Sequence, residues 1–155
     1  MRRLTAAIAL LAAAAPAALA ERRIHGSAGM GGALLGTGDR GDRARLDAAA
    51  DLKLGGRFGA LAAWRAFDDR LRGLLMAGLV YEAGAARPRL VLDLHAELGA
   101  DLDARAPLAG GGIRTTLAIA GPLGLVFDSG AYLVIDGLDG TRLQLQTAAL
   151  LAARW

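Results

Sequence analysis

Apolar and charged residues alternate along much of the chain, most clearly over residues 90–104. Every even position from Leu90 to Leu102 is leucine or alanine. The charged residues and the histidine of this stretch all lie at odd positions: Asp93, His95, Glu97, Asp101 and Asp103. Side chains of a β-strand point to opposite faces in turn, so this period of two predicts a strand with one apolar and one charged face.

The same alternation recurs in seven further segments, namely 24–36, 45–54, 57–66, 70–82, 113–119, 123–136 and 142–155. The first of these is glycine-rich and the least regular; in all the others the apolar positions carry no charge. Turn-forming residues such as glycine, proline and aspartate separate the segments. Alanine and leucine would also allow helices by propensity, but 22 glycines would interrupt them. We therefore predict an all-β fold with eight antiparallel strands in up-and-down order.

The N-terminus has the features of a secretory signal peptide. "MRR" is basic, residues 4–20 are apolar, and Ala18-Leu19-Ala20 forms a small-residue cleavage site. A membrane anchor is the alternative, but Pro16 interrupts the apolar run and no stop-transfer pattern follows it. We expect residues 1–20 to be removed and residues 21–155 to form one domain. Beyond residue 20, no apolar run reaches the length of about 18 that a membrane helix requires.

The C-terminus bears on the direction in which the apolar face points. Alternation fits a soluble barrel with its apolar face inward and a membrane barrel with that face outward. Strands of about 10 to 13 residues match the length of a tilted membrane strand. The sequence "LQLQTAALLAARW" ends in an aromatic residue with apolar residues at alternate positions before it.

That ending resembles the terminal strand by which bacterial outer-membrane barrels are recognised for assembly, and Leu151, Ala153 and Trp155 carry the resemblance. With the signal peptide and eight strands, residues 21–155 resemble a small OmpA/OmpX-type outer-membrane barrel. The resemblance implies a transmembrane barrel in a Gram-negative outer membrane. Its implied partners are outer-membrane lipid and the barrel assembly machinery. The alternative is a soluble periplasmic, lipocalin-like barrel that binds a ligand.

In the membrane barrel, the face of each strand that carries the charged residues points into the lumen. Eight strands enclose a space just wide enough for side chains, so an open channel is not expected. Buried charges are costly unless paired, and guanidinium groups pair well with carboxylates. We therefore predict a lumen ion-pair network of Arg45, Asp47, Asp51, Arg65, Arg72, Glu82, Asp93, His95, Glu97, Arg114, Asp128 and Arg142. The same parity directs Lys53, Arg57, Arg89, Asp101 and Arg154 inward.

Composition limits the chemistry further. The absence of cysteine excludes disulfides, thiolate metal sites and thiol nucleophiles. Eighteen basic residues oppose 15 acidic ones. Loss of Arg2 and Arg3 with the leader leaves the chain nearly neutral, and no basic cluster with interleaved aromatics favours nucleic acid. We expect no cofactor.

Two more specific hypotheses, a metal site and a catalytic site, are alternatives to the ion-pair network. Successive inward positions on a strand are about 6.5 to 7 Å apart, so Asp93, His95 and Glu97 would bind a metal only with distortion and a further ligand. His25 and Ser27 share one face, and small outer-membrane barrels include lipid A deacylases that use these residue types. Here the pair has no evident orienting carboxylate. We therefore expect a non-enzymatic envelope barrel, structural or a narrow plugged transporter.

Overall fold

The computed structural model describes residues 24–37, 43–54, 56–66, 73–86, 89–102, 104–135 and 140–155. The strands are β1 (Ile24–Thr37), β2 (Arg43–Leu54), β3 (Phe58–Ala66), β4 (Gly73–Ala86), β5 (Leu90–Asp101), β6 (Ala106–Ala120), β7 (Leu123–Ile135) and β8 (Thr141–Arg154). The predicted all-β fold with eight strands is confirmed. The signal peptide over residues 1–20 lies outside the described residues and remains a prediction. The described ranges contain no helix long and apolar enough to cross a membrane.

The eight strands close into a barrel in chain order, each antiparallel to the next, and β1 pairs with β8. At the end of this seam, the amide of Gly26 donates to the carbonyl of Trp155 over 3.1 Å, and the reverse bond measures 3.2 Å. Closure pairs both terminal strands, so the sheet has no free edge. The end of the barrel where β1 begins and β8 ends is called the N-terminal mouth below.

The alternation in the sequence corresponds to the outside and inside of this barrel. On the outside, Leu98 is 70% exposed and Phe58 68% exposed. On the inside, Asp47 and Arg114 are both 0% exposed. The apolar side chains therefore point away from the barrel, and the charged side chains point into it.

The interior also contains an apolar portion that the predicted charged lumen did not include. It consists of Ala49, Ala63, Leu74, Met76, Ala106, Leu108, Val126, Tyr132, Val134, Leu150 and Ala152. Filling an eight-stranded lumen takes side chains from every strand, and apolar side chains fill space without the desolvation cost of a charge. The inward placement of Arg57 and Arg89 was wrong. Both are exposed, because each lies in a turn just before its strand begins.

Candidate functional site in the barrel interior

Asp128 of β7 is the centre of the interior network. Arg114 Nη1 of β6 donates to Asp128 Oδ2 over 3.1 Å, and Arg65 Nη2 of β3 lies 3.5 Å from Asp128 Oδ1. Arg114 Nε also lies 3.4 Å from Asp51 Oδ1 of β2, and Asp51 accepts a hydrogen bond from Ser27. The two guanidinium groups therefore join carboxylates from different walls of the barrel.

Arg65 extends this network towards β2 and β8. Its Nε donates to Asp47 Oδ2 over 2.8 Å, and its Nη1 donates to the amide oxygen of Gln146. Gln146 in turn donates to Gln144 over 3.4 Å. The guanidinium also lies 5.9 Å from the centre of the Tyr132 ring, within the range of a cation–π contact. Arg65 thus has a charged, an amide and an aromatic partner while only 1% exposed.

His95 lies between two carboxylates. Its Nδ1 is 3.1 Å from Glu97 Oε2 and its Nε2 is 3.3 Å from Asp128 Oδ1. The hydroxyl of Tyr132 donates to the same Glu97 oxygen over 2.5 Å. An imidazole offers a donor to both carboxylates only when both of its nitrogens carry hydrogen. These residues, with those of the two preceding paragraphs, form what we call the central cluster: Ser27, Asp47, Asp51, Arg65, His95, Glu97, Arg114, Asp128, Tyr132, Gln144 and Gln146.

A second group, which we call the mouth cluster, lies at the N-terminal mouth and consists of His25, Lys53, Glu82 and Asp93. Lys53 Nζ donates to Asp93 Oδ1 over 2.5 Å and lies 3.8 Å from Glu82 Oε2. His25 Nε2 lies 3.3 Å from the same Glu82 oxygen. Lys53 is 2% exposed, so its ammonium group is held inside the barrel between two acids from β4 and β5.

The remaining predicted members lie elsewhere. Arg142 is about one-third exposed, and its Nη2 lies 3.6 Å from Asp101 Oδ2. The side chain of Arg45 and the whole of Arg72 lie outside the described residues. Sequence reasoning left Ser27, Tyr132, Gln144 and Gln146 out of the network, although the inward parity placed each of them on the polar face.

The geometry does not assemble the metal site considered for Asp93, His95 and Glu97. Asp93 pairs with Lys53, whereas His95 and Glu97 contact each other in the central cluster. Across the described ranges, no group of three histidine, aspartate or glutamate residues is arranged to hold a metal ion. The arrangement is one of ion pairs between neighbouring and opposite walls.

His25 and Ser27 are not arranged as a nucleophile and its base. Both have a carboxylate neighbour, which the sequence had not suggested, but each has a different one. The hydroxyl of Ser27 donates to Asp51, and His25 contacts Glu82. No hydrogen bond joins the two side chains, both of which the structure describes. A serine nucleophile requires its base within hydrogen-bonding reach.

Leu151 and Ala153 lie on the outward side of β8, and Trp155 follows the end of that strand at the N-terminal mouth. Leu151 is 55% exposed, and Ala153 and Trp155 are partly buried. The indole of Trp155 crosses β1 at Gly26, where an added Cβ would lie 3.2 Å from Trp155 Cζ2. The final aromatic residue therefore packs over the seam between the first and last strands.

Comparison with known proteins adds one structural likeness. No protein-family model matches the chain, and no curated protein sequence is significantly similar to it. Among solved structures, the chain is similar to Ail, the attachment invasion locus protein of Yersinia pestis, in a complex with the heparin analogue sucrose octasulfate. The TM-score is 0.43 at 10% sequence identity, over 85% of this chain and 99% of Ail.

Proposed function

We propose that the protein is an integral outer-membrane β-barrel of a Gram-negative envelope, without enzymatic activity, serving as a structural element or as a narrow, plugged transport barrel. One observation carries the proposal: the barrel is apolar outside and charged inside. A soluble barrel directs its apolar face inward, whereas a membrane barrel presents that face to lipid. The exposed leucines and buried arginines favour lipid as the surrounding medium.

The dimensions of the strands support the same proposal. The described strands range from 9 residues in β3 to 15 in β6. Crossing a bilayer takes about 9 to 11 tilted residues, whereas strands of soluble proteins average about five or six. Every strand is therefore long enough to cross a bilayer.

The interior contacts support a plugged rather than an open lumen. Arg65 on β3 reaches Asp128 on β7, and Lys53 on β2 reaches Asp93 on β5. These pairs cross the lumen instead of following one wall. Because the apolar core fills further space, we expect the interior to block a continuous water path for ions and the conductance to be negligible.

This geometry gives less support to two other functions. In a soluble, lipocalin-like barrel, the leucines that are exposed here would point inward and line an apolar cavity. A lipid A deacylase would require Ser27 and His25 to be joined. Replacing His25 and Ser27 with alanine tests the deacylase hypothesis directly. If the unaltered protein deacylates lipid A and the replacement abolishes this activity, the deacylase hypothesis would stand in place of our proposal.

Fractionation tests the membrane assignment. We expect the protein in the outer-membrane fraction, extracted only by detergent, with a faster gel mobility before boiling than after. In planar bilayers the folded protein should give no steady ion current. Quantitative recovery in a detergent-free periplasmic fraction would refute the membrane assignment, and stable open-channel currents would refute the plug. The assembly machinery is the proposed partner at the Leu151, Ala153 and Trp155 end.

A further inference from the structure

A small polar cavity opens at the N-terminal mouth. Its volume is about 60 Å³, and its lining includes His25, Asp51, Lys53, Asp93 and Arg154. At the volume that one water-sized probe occupies, the cavity has room for about four or five atoms or groups of the size of a water molecule. The cavity therefore fits the head of a small polar ligand and excludes a bulky one.

Most polar groups around this cavity already have partners. Asp93 accepts from Lys53 over 2.5 Å. Asp51 accepts from Ser27 and lies 3.4 Å from Arg114. The carboxylates of the lining are therefore compensated by charges and hydroxyls of the barrel itself.

Arg154 is the exception. Its guanidinium forms no ion pair or side-chain hydrogen bond with any residue that the structure describes. Thr116 of β6, two strands from β8 in the barrel, is 6% exposed, and its hydroxyl has no hydrogen-bond partner in the same described ranges. The unpartnered groups of the cavity are thus donors: the guanidinium of Arg154 with its five N–H groups, the hydroxyl of Thr116 and the indole N–H of Trp155.

Arg154 is also positioned by the wall behind it. Its stem lies over Gly124 of β7, where an added Cβ would come within 2.5 Å of Arg154 Cδ. Glycine at this position leaves the space that the stem occupies inside the barrel. Arg154 is therefore positioned by its stem at the lining of the cavity while it stays partly exposed.

We propose that this cavity binds a small oxyanion, a carboxylate or phosphate group, with Arg154 as the principal ligand and Thr116 as a second donor. Guanidinium is suited to such groups because its planar donors match two oxygens at once. The volume admits one group of this size. The inference goes beyond the envelope role and depends on the closed barrel alone, so it stands or falls separately from the membrane assignment.

The test is a titration of the folded protein, residues 21–155, in non-ionic detergent with inorganic phosphate and with acetate, followed by calorimetry. We expect saturable binding that weakens at least tenfold in Arg154→Gln and less in Gly124→Ala, which keeps the guanidinium but displaces its stem. Arg57→Gln removes the same charge from an exposed site at the same end of the barrel and should bind as the unaltered protein does. The mobility shift between unboiled and boiled samples verifies folding of each variant.

Each outcome decides the proposal. Equal binding by the unaltered protein and Arg154→Gln, or no binding at all, would overturn it. An equal loss in Arg57→Gln would also overturn it, because that result would indicate a general effect of charge. A third titration, with vesicles containing an anionic phospholipid, distinguishes the source: competition with inorganic phosphate would identify a lipid headgroup as the ligand, and its absence a free anion.

Discussion

Removing Arg65 should destabilise the barrel more than removing both Arg65 and its partner Asp47. In Arg65→Met, Asp47 loses a partner at 2.8 Å while remaining 0% exposed. At an effective dielectric constant near 20, that attraction is about 6 kcal/mol before desolvation is counted. Truncating one member of a buried pair typically costs about 3 to 5 kcal/mol net, because the other charge remains buried and unpaired.

The double variant Arg65→Met/Asp47→Leu also removes the Asp47 charge, which would otherwise remain buried without a partner. Asp128 keeps Arg114 and His95 as neighbours, so the double variant should recover most of the lost stability. Replacing a buried pair with apolar residues of similar volume is often close to neutral. The two substitutions should therefore be non-additive by at least about 2 kcal/mol.

The assay is reversible denaturant unfolding of the refolded barrel, followed by tryptophan fluorescence, for the unaltered protein, both single variants and the double variant. Arg57→Met is the matched control. Because Arg57 is exposed, this substitution should change the free energy of unfolding by less than about 0.5 kcal/mol. A loss below about 1 kcal/mol in Arg65→Met would refute the reasoning. Strict additivity in the double variant would refute it as well.

Three further predictions follow from the outer face and the turns. Leu98→Arg places a charge at a 70% exposed outward position and should cost about 2 to 4 kcal/mol of folding free energy in lipid; an equal stability in lipid would contradict the outward assignment. Gly121→Ala should cost about 1 to 2 kcal/mol because Gly121 has a φ of 52°, whereas Gly140→Ala, with open space around it, should be nearly neutral in the same unfolding assay. Trp155→Ala should lower the amount of barrel assembled in cells yet leave refolding in detergent intact; unchanged assembly in cells would exclude Trp155 from the signal.

Periodicity was enough to predict the strands and the two faces. The alternation around Leu94 and His95 predicted that the two side chains lie on opposite faces, because a strand allows only two directions. The outward direction of the leucine came from the strand lengths and from the resemblance of the C-terminus to outer-membrane barrels. The pairing of the interior charges was not predictable in the same way. Arg65 donates to Gln146, 81 residues away, and such partners are set by the curvature of the closed barrel rather than by local sequence.

The apolar part of the interior was missed for a related reason. Val126 and Leu150 lie on the same inward face as the charged residues, and both are essentially buried. The prediction considered only the charged residues of that face and therefore left them out. Register shifts between Glu82 and Gly84 and between Ala118 and Ala120 leave no clear signature in the alternation. Strand ends were the other weak point, since Arg57 and Arg89 lie just outside their strands.

Site-directed labelling at adjacent residues of β5 tests the central claim most directly. Leu94 is 45% exposed on the outside and His95 is 7% exposed inside, so cysteine at each position reports one face of the same strand. We predict that, in lipid vesicles, a spin label on Leu94→Cys is accessible to oxygen dissolved in the bilayer, whereas His95→Cys is protected from it. A label on Leu94→Cys that oxygen in the bilayer cannot reach, together with a His95→Cys that reacts with lipid-soluble reagents, would contradict the account.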